Sequence, residues 1–143
     1  MKNSVHIFTL IAIFTAFQAC CNDENITKSN CDQTVVISSD EFNNAPDDML
    51  NINNISIQDD CLLINFSSSG CDGSSWIVKL IDSEAIAESF PPQRTLRLSL
   101  KNDELCDAYF SKEISFDIHS LQVEGNRVIL NFKDFDQPLL YEY

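Results

Sequence analysis

The chain has 143 residues, which is room for one domain. Its 22 acids outnumber 9 bases, and the formal net charge of −13 argues against nucleic acid and against electrostatic docking on anionic lipid. With only three glycines and four prolines, the composition is that of a packed globular domain and excludes low-complexity or collagen-like tracts.

Met1–Ala19 reads as a targeting segment. Lys2 supplies a positive start, and the run from Val5 to Phe17 is apolar apart from His6, Thr9 and Thr15. That run is too short to span a bilayer comfortably and fits a signal-peptide core. An ordinary secretory cleavage site wants small side chains at −3 and −1, yet cutting after Ala19 or Ala16 places Phe17 or Phe14 at −3. The stretch Phe17-Gln18-Ala19-Cys20 instead resembles a bacterial lipobox, with Gln18 departing from the small residue common at its position. The acidic Asn22-Asp23-Glu24 that follows is similar to the leaders of Bacteroidetes-type envelope lipoproteins. The resemblance implies that Cys20 becomes a lipid-bearing N-terminus, and that the protein sits on the periplasmic or surface face of an outer membrane. A secreted eukaryotic protein is the alternative, and only there would the N-x-S/T patterns at Asn25, Asn54 and Asn65 matter. Two or three acyl chains, at about 0.8 kcal/mol per buried methylene, are enough for stable anchoring.

Residues 20–32 are polar and aperiodic and read as a tether with a reach of roughly 35–40 Å. From there the apolar period is two. Val35 and Ile37 share one face, as do Leu62, Ile64 and Phe66, and then Trp76, Val78 and Leu80. The alternation returns at Leu96, Leu98 and Leu100, at Ile114, Phe116 and Ile118, at Val128, Leu130 and Phe132, and at Leu139, Tyr141 and Tyr143. In Asn51–Gln58 the phase slips between Ile52 and Ile55, the mark of a β-bulge. Asp82–Ser89 reads as a short helical turn, and Asn43–Asp48, Gly70–Ser74, Asn102–Glu104 and Gln137-Pro138 read as turns. About eight half-buried strands over residues 33–143 predict an all-β fold, an antiparallel Ig-like β-sandwich, with a small β-barrel as the alternative.

Cys20 aside, five thiols remain, and an oxidising compartment pairs most of them. Cys21 is the odd one out, in the tether. The other four allow three connectivities, and alternating strand direction favours Cys31–Cys61 with Cys71–Cys106.

The stretch Ser67–Trp76 concentrates glycine, serine and the single tryptophan. Gly70, Asp72, Gly73, Ser74 and Ser75 form the candidate binding loop, with a stapled hairpin turn as its structural reading. His119 lies beside Asp117 and Ser120, but triad members meet from separate segments, so no catalytic residue is assigned. Paired acids at Asp47-Asp48, Asp59-Asp60 and Asp134-x-Asp136 match no calcium loop, so no metal or cofactor is expected. Arg94 and Arg97 are expected to pair internally. The sequence therefore predicts a lipid-anchored binding or interaction module of the cell envelope, not an enzyme. The alternative is an inhibitor or immunity-type lipoprotein that captures a cationic enzyme such as lysozyme.

Overall fold

In a computed structural model, which describes residues 30–143, two β-sheets face each other across one apolar layer. The targeting segment, Cys20 and Cys21 lie outside the described residues. None of the described helices is long and apolar enough to cross a membrane. The strands are β1 (Gln33–Thr34), β2 (Val36–Ile37), β3 (Asn51–Gln58), β4 (Cys61–Gly70), β5 (Ile77–Ala87), β6 (Gln93–Lys101), β7 (Ala108–Asp117), β8 (Arg127–Phe132) and β9 (Phe135–Glu142). One sheet runs β1-β7-β4-β3 and the other β2-β5-β6-β8-β9, so the fold is an all-β sandwich.

Alternation dictates this layering. Leu62, Ile64 and Phe66 of β4 face Leu80 of β5, Leu96, Leu98 and Leu100 of β6, and Leu130 of β8, each essentially without solvent contact. The phase slip in β3 is a bulge at Asn53: Ile52 stands opposite Phe66 and Ile55 opposite Ile64, so both point inward. A one-residue insertion is what moves an apolar set from one parity to the other while keeping it on the core face.

Several expectations need correction. The sheets are mixed, not antiparallel throughout: β1 pairs β7, β2 pairs β5 and β6 pairs β8 in parallel. Strand alternation reports burial and carries no information on direction. The run expected as one strand at Val35–Ile37 divides between the sheets; Val35 is buried at the crossing and Ile37 turns outward. Asp82–Ser89 forms no helix. β5 continues to Ala87 through an irregularity between Asp82 and Ile86, with Glu84 at a left-handed φ of 66°. Gln137-Pro138 is not a turn but the interior of edge strand β9, where the missing proline N–H is tolerated.

The one α-helix among the described residues, α1 (Ser39–Asn44), was not expected and overlaps the expected turn Asn43–Asp48 only at its last two residues. Ser38 caps it, its hydroxyl accepting from the Glu41 N–H at 3.2 Å. Its other end rests on the guanidinium of Arg97, which donates to the carbonyls of Phe42 (2.7 Å), Ala45 (2.8 Å) and Pro46 (3.0 Å). Those of Phe42 and Ala45 are carbonyls that a helix end leaves without intrahelical partners. Arg97 thereby fastens α1 over the outer face of the second sheet, where Ile81 is fully buried. Arg94 is paired as expected, to buried Asp82 at 2.7 Å.

Candidate functional site

The ladder between β4 and β7 ends with Gly70 opposite Ala108. Cys71 and Cys106 therefore leave the same end of neighbouring strands, and a disulfide joins them with Cα atoms 4.8 Å apart. At the opposite end, Cys31 is joined to Cys61. Both pairings are those favoured by strand order, although β1 runs antiparallel to β4 and not in the same direction. The first pairing survives because β1 is two residues long, so both of its ends lie near the start of β4.

The loop after Cys71 is organised by an acid from another loop. Glu104 Oε2 accepts from the N–H groups of Cys71 (2.5 Å), Gly73 (3.0 Å) and Asp72 (3.2 Å). Its Oε1 accepts from the N–H of Ser75 (3.3 Å) and from the Ser75 hydroxyl (2.9 Å). Converging backbone N–H groups of this kind make an anion-binding nest, and here the chain supplies the anion itself. Burial pushes the Glu104 carboxyl up, but hydrogen bonds from Gly73, Ser75 and Cys71 outweigh it and hold the group at about 2. Gly73 takes a left-handed φ of 67°, and a Cβ there would crowd Trp76 and the Lys112 side chain. At Gly70 a Cβ would overlap the Glu104 carboxylate.

The candidate binding residues thus divide. Gly70 and Gly73 are buried scaffold, and the backbone donors of Asp72, Gly73 and Ser75 are taken by Glu104. The Asp72 carboxylate accepts from the Ser74 N–H at 2.8 Å, closing a local turn, and the side chains of Asp72 and Ser74 face outward. Beneath the loop, Trp76 stacks on Phe110 with ring centroids 5.0 Å apart and planes 5° apart. Lys112 lies 5.3 Å from the tryptophan ring and donates to the Gly73 carbonyl at 2.5 Å. A cleft of about 270 Å³ opens here, lined by Phe66, Trp76, Val78, Lys112 and Ile114 among others.

Asn102 completes this end. Its N–H donates to the Asp48 carboxylate and its amide to the Ser69 carbonyl, both at 2.7 Å, while its own oxygen accepts from the Glu104 N–H at 3.0 Å. Three connections, residues 45–50, 71–76 and 102–107, are therefore tied into one surface. Sequence reasoning found the second of these and missed Glu104 and Asn102. Nothing in an acid or an amide of a polar loop marks it as the partner of a loop some thirty residues away.

His119 opens a 3-10 turn (His119–Leu121), its N–H donating to the Asp117 carboxylate at 2.9 Å. Its ring stands 3.4 Å from Asp60, which also accepts from the Tyr141 hydroxyl; Gln122 donates to that hydroxyl at 3.0 Å. Burial pushes the Tyr141 phenol up, and the Asp60 hydrogen bond adds to this. The three sequence neighbours Asp117, His119 and Ser120 are not brought together as a relay. Of the other paired acids, Asp47 meets Arg97 at 3.2 Å and Lys133 at 3.7 Å. Among the described residues no group of three or more histidine, cysteine or acidic side chains is arranged to hold a metal ion.

No protein-family model matches the chain, and no curated protein does. Solved structures do resemble it. A protein of unknown function, DUF1344, from Bacteroides vulgatus superposes with a TM-score of 0.51 at 18% identity, over 78% of this chain and 56% of the other. A NigD-like immunity protein from Bacteroides caccae superposes with a TM-score of 0.55 at 8% identity, over 76% of this chain and 59% of the other. The chain thus spans less than two thirds of either structure. At these identities the likeness is one of fold.

Proposed function

We propose that the protein is a lipid-anchored binding module of a bacterial cell envelope whose partner is a cationic protein, as in an immunity or inhibitor lipoprotein. One observation carries the reading: the charge is concentrated on the domain and left uncompensated there. The acids and bases ahead of residue 30 cancel, so the whole −13 belongs to residues 30–143. The bases of that region are already engaged. Arg94, Arg97, Lys79, Lys101 and Lys133 sit in ion pairs, Lys112 lies against Gly73 and Trp76, and Arg127 lies over the Phe90 ring. The surface field is therefore acidic on balance, with Lys112 and Arg127 keeping their positive charge, and such a field attracts and steers a basic partner. The fold shared with a NigD-like immunity protein is compatible with this reading.

Two measurements test it. Immobilised domain is exposed to envelope extract at low salt and at about 1 M salt, where the screening length falls to about 3 Å. Retention of one basic protein only at low salt is expected; salt-insensitive or absent capture counts against the cationic partner. Cells fed a clickable fatty acid are expected to label the wild-type chain and not Cys20→Ser, and an unlabelled wild type removes the anchor from the proposal.

A further inference from the structure

Three large apolar side chains project from the tied loop end. Leu105 is 96% exposed, Met49 88% and Tyr109 65%. Hydrogen bonds place their segments at one end of the sandwich: Tyr109 is the ladder partner of Ser69, and the Ser69 carbonyl accepts from Asn102. Asn102 also holds Asp48, next to Met49, and the Met49 carbonyl accepts from the Ser68 hydroxyl at 2.6 Å. Leu105 lies between Glu104, fixed in the backbone nest, and Cys106, fixed by its disulfide. An exposed leucine in a free loop would lose chain entropy on binding; one with both neighbours pinned has lost most of it on folding. Carboxylates of Asp48, Asp72, Asp103 and Asp107 belong to the same end, and Lys101 there is paired to Asp103 at 3.0 Å.

We infer that this loop end is the docking surface, with Leu105 entering an apolar pocket of a basic protein and the surrounding carboxylates meeting its lysines and arginines. The inference rests on the cationic partner proposed above and names the surface that meets it. Among the described residues a competing surface is an apolar groove of about 480 Å³ between Phe90, Pro91, Ile129, Pro138, Leu139 and Leu140. Its charged lining residue is Arg127, the wrong sign for a basic partner. Charge complementarity therefore separates the two apolar surfaces.

The test places a photo-crosslinking benzoylphenylalanine at position 105 or at position 90 of the full-length chain in its native envelope. A covalent product with a basic protein is expected from position 105, suppressed at about 1 M salt, with none from position 90. Leu105→Asp is expected to weaken capture of that protein at least about tenfold, and Phe90→Asp to leave it unchanged. The same partner crosslinked from position 90 and not from 105 overturns the surface while the cationic-partner reading stands. Absence of any basic protein from crosslinking and from low-salt capture overturns that reading, and the surface with it.

Discussion

Glu104 closes a loop by charge, so the loop answers to pH. Its carboxyl is held at about 2 in the folded protein, below its ordinary value of 4.5. A depressed folded value means stabilisation that is fully present above about 4.5 and is lost as pH falls toward 2. The amide shifts of Gly73 and Ser75 are therefore expected to titrate with a midpoint near 2, and Glu104→Gln to abolish that step; a midpoint near 4.5 would contradict the nest. The buried pair Asp82–Arg94 behaves differently. Burial raises the Asp82 carboxyl, the Glu84 N–H and Arg94 draw it back, and Asp82 Oδ2 and Arg94 Nε have no hydrogen-bond partner among the described residues. Asp82→Ala leaves an uncompensated guanidinium and should cost about 3–5 kcal/mol, whereas the double change Asp82→Leu, Arg94→Met should recover most of it, read as denaturant midpoints at unchanged slope. The Glu104 nest was not legible beforehand, and of the buried pair only the internal pairing of Arg94 was. Arg94 was expected to pair, but an acid in an apolar strand run looks the same in sequence whether it faces solvent or core.

At the level of elements, the two disulfides do different work. They close sequence separations of 30 and 35 residues, and chain entropy assigns each about 3–4 kcal/mol. Cys71–Cys106 fastens strands that a ten-residue ladder already aligns, so its loss should lower global stability and leave the β4–β7 pairing in place. Cys31–Cys61 fastens β1, whose ladder consists of Gln33 with Phe116 and Thr34 with Asp117. Replacing that pair by serine should raise amide exchange at Thr34, Val35 and Ser115 well before global unfolding; uniform exchange across the sheet would refute the distinction. The long strands could be read from sequence because their inward residues repeat at period two. The first half of β7 could not, since Phe110 and Lys112 share an inward phase yet differ in polarity. Helix α1 went unread, because its six residues give too little apolar periodicity to register as a helix.

For the whole molecule, the decisive quantity is the acidic field. Self-repulsion at a net −13 opposes the compact state, so moderate salt should raise the thermal midpoint as it screens the surface. A midpoint that falls with salt would mean that the exposed ion pairs, such as Lys79–Glu41, outweigh the repulsion. Fold class and charge were both visible in the sequence, because burial parity and composition need no knowledge of which strands pair. Direction of pairing depended on contacts between distant segments and was not; of the loops that meet, strand parity placed the two cysteine pairs and left Glu104 and Asn102 unread. The Cys31–Cys61 bond also decides how the domain bears force. A pull applied ahead of residue 30 reaches Cys31 first and passes through its sulfur into Cys61, the first residue of β4. That strand lies between β7 and β3, so the load enters a strand held by two long ladders and the two-residue β1 is bypassed. Reduction would redirect the same pull onto β1, whose few bonds can part in sequence. Oxidised, the domain is a mechanically strong terminus for whatever holds its N-terminal side.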